Sequence, residues 1–121
     1  MHPAKERMDQ TRPEILQGTL DLMILKALEA LGPLHGFGLS RRLEQVSGDL
    51  LKLNEGTVYT ALLRLAQRGW ISSSWGVSER NRKARYYAIT RAGRRQLVRE
   101  QQGWEQITGI VNRVLRLAPE D

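Results

Sequence analysis

Few residues in this chain could carry out chemistry. There is no cysteine in the 121 residues, so thiolate nucleophiles, thiolate metal sites and disulfides are absent together. The two histidines, His2 and His35, share no predicted face with a carboxylate pair, so acid–base catalysis and metal binding lack partners. His35 fits a turn or a phosphate contact better than a catalytic role. The glycines are scattered and form no phosphate-cradling loop. No enzymatic activity, no metal and no cofactor is expected. What remains is charge and hydrogen bonding. Between Ser78 and Arg99 stand eight basic residues, Arg80, Arg82, Lys83, Arg85, Arg91, Arg94, Arg95 and Arg99, and one acid, Glu79. That stretch carries +7 and the whole chain +6, so everything else sums to −1. A positive block this dense meets phosphate more often than it stays a solvated face.

A second group of hydrogen-bonding residues falls on a predicted helix from Glu55 to Arg68, with Asn54 as its N-cap and Gly69 as its stop. At about 100° per residue, Val58, Ala61, Leu62, Leu65 and Ala66 share one side. Tyr59, Thr60, Leu63, Arg64 and Gln67 lie opposite. A solvated face would carry Glu and Lys there; Thr, Tyr, Gln and Arg bond base edges and phosphates, and a leucine can touch a thymine methyl.

The elements that must position these residues follow from periodicity and punctuation. Residues 1–16 read as a flexible N-terminal arm, polar and aperiodic from Met1 to Pro13. Gln17 to Leu31 reads as a helix with Thr19 as N-cap and Leu20, Ile24, Ala27, Leu28 and Leu31 as its stripe, ended by Gly32-Pro33. Leu22, Met23 and Leu25 extend its apolar surface beyond one face, which calls for a second packing partner. Leu34 to Gly38 reads as a turn into a second helix with Leu39, Leu43 and Val46 buried and Ser40, Arg41, Arg42 and Glu44 outward. Leu50 to Leu53 is a candidate short strand. Trp70 to Val77 and Ala84 to Thr90 alternate as two strands around a polar tip, Ser78 to Lys83. Of Tyr86 and Tyr87 at least one is expected in the core. A helix–turn–helix followed by a basic hairpin is the layout of a winged helix, with the third helix entering the major groove and Arg80, Arg82, Lys83 and Arg85 on the flanking backbone.

A last helix begins at Thr90 and runs towards Leu117. Leu97, Trp104, Ile107, Val111 and Val114 form a seam on it, widened by Ile110 and Leu115. With no core left to cover, that seam points to a second copy of the chain, with Leu22 and Leu25 of the first helix in the same interface. Trp104 is an apolar anchor there, and also the candidate site for a planar hydrophobic effector. The expected fold class is thus mainly α with a small β-hairpin: a winged helix-turn-helix over residues 17–90 and a C-terminal dimerisation helix over 91–121. The apolar run from Leu20 to Leu31 is too short and too charged to span a bilayer, and no signal peptide is evident, so no membrane partner and a cytoplasmic location are expected.

Four runs, in order, resemble the signature of PadR-type transcriptional regulators: Leu34-His35-Gly36-Phe37-Gly38-Leu39; Gly56-Thr57-Val58-Tyr59-Thr60-Ala61-Leu62-Leu63-Arg64-Leu65; Gly69-Trp70-Ile71 with Trp75; and Arg85-Tyr86-Tyr87-Ala88-Ile89-Thr90-Arg91-Ala92-Gly93-Arg94. The resemblance covers about Leu16 to Leu97, and the short C-terminal region looks like the smaller type with a single terminal helix. It implies a dimeric winged-helix repressor that binds a palindromic operator in double-stranded DNA, in some members under control of a phenolic or other hydrophobic effector. It places Thr57, Tyr59, Thr60 and Arg64 at the DNA. The chain departs from the pattern at Phe37, where tyrosine is common, at Thr60, where proline is frequent, and at Ala66-Gln67, where Leu-Glu is frequent; these changes bear on the operator sequence. A winged helix that binds only protein is the competing reading, and a steep fall of DNA affinity with salt separates the two.

Overall fold

The computed structural model describes residues 18–120; the expected N-terminal arm lies outside them. Helix α1, described from residue 18 to 31, places Leu20, Ile24, Leu25, Ala27 and Leu28 in the core. Thr19 already lies within this helix rather than capping it. Four of the five expected stripe residues, Leu20, Ile24, Ala27 and Leu28, are buried; Leu31 is exposed instead, and Leu25 is fully enclosed. Gly32, with φ of 82°, ends the helix.

Leu34–His35, expected as a turn, form the short strand β1. It pairs antiparallel with β3 (Lys83–Ile89), Leu34 opposite Tyr87 and His35 opposite Tyr86. A two-residue strand carries no periodic signal, so only the pairing reveals it. Helix α2 (Gly36–Val46) starts at once, its N-cap His35 accepting from Gly38 N–H through Nδ1 at 2.9 Å. Leu39 and Leu43 are buried as the stripe predicts. Ser40 is buried as well, against the expected outward position, and Val46 is exposed. No strand forms at Leu50 to Leu53. Two of its backbone donors are taken by side chains instead: Leu51 N–H donates to Ser47 Oγ and Leu53 N–H to the Glu44 carboxylate.

Helix α3 (Glu55–Gln67) packs Val58, Ala61, Leu62 and Leu65 inward. It closes through Gly69, at φ of 77°, whose N–H donates to Ala66 O while Trp70 N–H donates to Leu65 O. That is a Schellman ending, and it needs the left-handed conformation glycine adopts without strain. The chain then turns into β2 (Ile71–Val77), which pairs with β3 from Ile71↔Ile89 to Val77↔Lys83. The sheet order is β1-β3-β2. Ile71 and Tyr87 close the core from the sheet side.

Helix α4 (Arg91–Leu115) is capped by Thr90 as expected, Gly93 N–H donating to Thr90 Oγ1 at 3.0 Å. The Thr90 hydroxyl also donates to Gly69 O at 2.7 Å, and Thr90 N–H donates to Trp70 O. Gly93 is buried against this joint, where a Cβ would run into the Trp70 carbonyl and Ile89 Cγ1. The root of α4 is therefore pinned to the α3–β2 turn, and this sets where the rest of the helix goes. The architecture is four helices and a three-stranded antiparallel sheet in winged-helix order. Among the described residues no helix is long and apolar enough to cross a membrane.

Candidate nucleic-acid interface

The face of α3 away from the core begins at its cap. Asn54 Oδ1 accepts from Gly56 N–H at 2.7 Å and Thr57 N–H at 3.4 Å, satisfying two of the free donors of the first turn. Beyond the cap, Thr57, Tyr59, Thr60, Leu63 and Gln67 are all exposed. They present hydroxyls, an amide and one aliphatic tip on a single side, without a carboxylate among them.

Arg64 is different. It was expected with that group, but its guanidinium turns towards α1. Nε donates to Asp21 Oδ2 at 3.2 Å and Nη2 to Asp21 Oδ1 at 2.6 Å, a two-pronged pair with Asp21 buried. The physical reason lies in α1. Asp21 shares the i, i+3, i+4, i+7 row with Ile24, Leu25 and Leu28, all in the core. A carboxylate on that row has to be paired, because burying it alone is costly. Asp21 is thus the partner of Arg64 that sequence reasoning missed. The signal was an acid at core spacing, three and seven positions before Ile24 and Leu28 of the expected stripe.

The wing carries the other half of the surface. At its tip Asn81 N–H donates to Ser78 O at 2.9 Å, and Ser78 N–H donates to Arg82 O at 2.8 Å. Asn81 takes φ of 58°, which asparagine tolerates well. Arg80, Arg82, Lys83 and Arg85 are exposed along it. Trp75, on the opposite strand, is exposed too, with the Arg85 and Lys83 cations over its ring. Tyr87 at the base is buried, and burial pushes its phenol pKa up; the nearby Arg85 charge opposes that shift, and Tyr59 of α3 adds to it. Tyr86 packs edge-on against His35, ring centroids 5.3 Å apart. Phe37, in the first turn of α2, is exposed on the surface.

The residues expected between subunits divide into two groups. Leu25, at 0% exposure, is enclosed in the chain's own core, which leaves it no surface for a partner; Leu97, at 4%, belongs to that core and also lines the groove between α1, α2 and α4. Leu22 is half-buried, whereas Trp104, Ile107, Ile110, Val111, Val114 and Leu115 are uncovered. An apolar groove of about 510 Å³ runs between α1, α2 and the first part of α4, with Leu22, Met23, Leu43, Val46 and Leu51 in its walls. Among the described residues no group of side chains could hold a metal ion.

A family model described as the transcriptional regulator PadR-like family matches residues 24–99. A 37.1 kDa transposon protein of Streptomyces fradiae is 37% identical over 90 residues, 74% of this chain; the chain spans about a quarter of that protein's length, 24%. The crystal structure of a PadR-like transcriptional regulator from Bacillus cereus superposes with a TM-score of 0.74 at 28% identity, over 87% of this chain and 99% of that one. PadR of Bacillus subtilis, solved in complex with operator DNA, gives a TM-score of 0.58 at 19% identity over 85% of this chain and 50% of that one; this likeness is one of fold.

Proposed function

The chain belongs to the PadR-like family of transcriptional regulators, and on that premise we propose that it binds double-stranded DNA as a homodimer at a palindromic operator and represses by occupying it. Residues 17–90 form the DNA-reading part and residues 91–121 the dimerising part. In this reading α3 enters the major groove with Tyr59, Thr60, Leu63 and Gln67 towards the bases and Thr57 at a phosphate. Arg80, Arg82, Lys83 and Arg85 grip the flanking backbone. Arg64 holds α3 in place from behind.

The observation that carries the reading is the union of two surfaces. One small fold carries both an exposed helix face without a carboxylate and a hairpin bearing four exposed cations. That is a base-reading element beside a phosphate-binding one. The uncovered α4 seam supports the dimer, because an apolar row of that length is costly in water and fits a second copy, seam to seam and against the α1–α2 groove. Pairing through α4 would set two recognition helices about one DNA turn, roughly 34 Å, apart. A planar hydrophobic effector entering the seam at Trp104 releases DNA if it prefers a dimer geometry that misplaces α3.

Selection of bound duplexes from a random pool tests the reading directly. A palindromic consensus and a steep log–log fall of affinity with salt are expected. Enrichment of nothing, with salt-insensitive binding to a protein partner, would sink it.

A further inference from the structure

Two cations of the wing converge on one indole. Lys83 and Arg85 lie two residues apart on β3 and share a face of the hairpin. Trp75 on β2 stands directly across from Arg85. The Arg85 guanidinium carbon lies 4.7 Å, and Lys83 Nζ 5.2 Å, from the centre of the Trp75 ring. Arg85 Nη1 also donates to Ser73 Oγ at 3.0 Å, on the same face. Trp75 as a whole is 60% exposed.

This convergence needs a cause. Like charges on neighbouring positions repel, and long side chains gain freedom by spreading into water. Among the described residues neither cation meets a carboxylate, the ion pairs there being Lys26–Glu29 and Arg64–Asp21. The negative face of the indole is what draws both cations together. The result is two positive charges gathered over one ring, neither meeting an anion among the described residues. Arg80 and Arg82, nearer the tip, have no ring beneath them among the described residues.

Resting on the DNA-binding reading above, we propose that Trp75 is a positioning residue of the wing: its ring presets Lys83 and Arg85 as one clamp for backbone phosphates of duplex DNA. The ordering entropy of the two side chains is then met on folding rather than on binding, which tightens the complex without a new contact.

The test is a thermodynamic cycle on the full chain, with a mixed-sequence duplex as the probe, since phosphate contacts do not depend on sequence. Trp75→Leu is expected to weaken binding about fivefold to thirtyfold, the loss of two exposed cation–π contacts. Trp75→Phe keeps an aromatic face and is expected to stay within about threefold of the parent. In a Lys83→Ala/Arg85→Ala background, Trp75→Leu should have no further effect. An equal loss in both backgrounds, or no loss in either, overturns the clamp, as does a Trp75→Phe chain as weak as Trp75→Leu. Trp75→Thr, a strand-forming residue at an exposed position, serves where the leucine variant folds poorly. A parent chain that does not bind the duplex sinks the DNA-binding reading and the clamp together; a parent that binds with an inert Trp75 sinks the clamp alone.

Discussion

Arg64 and Asp21, 43 positions apart in sequence, form a two-pronged ion pair that ties α3 to α1. The outward face of one helix is thereby oriented through a carboxylate on the core-facing row of another. Arg64→Ala leaves the buried Asp21 without its partner and is expected to destabilise the fold by about 2–3 kcal/mol, less than a fully buried pair because the guanidinium is partly exposed. Arg64→Lys recovers only part of this, since an ammonium cannot reproduce the fork. Urea denaturation measures both. Affinity for specific and random duplexes should fall in parallel in Arg64→Ala; a selective loss would return Arg64 to the base-reading group.

In the proposed reading, base recognition rests with the exposed side chains of α3. Gln67→Ala and Thr60→Ala are expected to reduce the preference for the selected operator over a random duplex, by about 1–3 kcal/mol where a bidentate base contact is lost. Leu63→Ala should matter at a single thymine, and its effect should vanish when that thymine is replaced by uracil, which lacks the methyl. Unchanged preference in all three variants would move the readout to another surface.

Val111→Asp in the full chain is expected to give a folded monomer. Val111 is uncovered and takes no part in the core, so the winged-helix domain should keep its circular dichroism spectrum. Each apolar side chain buried in a dimer is worth roughly 1.5–3 kcal/mol, and a buried charge in the seam forfeits more than one such contribution. Sedimentation would show the change of mass, and operator binding should lose its dependence on the second half-site. A chain ending at Arg99 retains Leu97 and is expected to be monomeric as well. A dimer persisting in both would place the interface outside α4.

Gly93→Ala probes the joint that aims α4. Its added methyl meets the backbone carbonyl of Trp70, which cannot swing aside as a side-chain tip can. A loss of about 1–3 kcal/mol is expected from this overpacking. Because the displaced element is the helix root, dimer affinity should fall as well as thermal stability. A variant as stable as the parent would mean that the joint yields more readily than its hydrogen bonds imply.

Much of this molecule is determined by short stretches of sequence. Asn54 caps α3, Gly69 closes it and Thr90 starts α4 because each acts on a backbone group within a few residues. The inward row of α3 and the basic hairpin follow from periodicity and charge, which are equally local. Tertiary structure decided what depends on distant partners. That α1 also buries Leu25 and leaves Leu31 exposed could not be read from an apolar run that is nearly continuous around the helix. Strand β1 exists only because β3 is there to pair with it. Arg64 left the outward face because Asp21, on another helix, needed a cation, and Lys83 and Arg85 converge because Trp75 lies across the hairpin. Ion pairs and cation–π contacts act between side chains that folding brings together, so their partners have no fixed spacing along the chain.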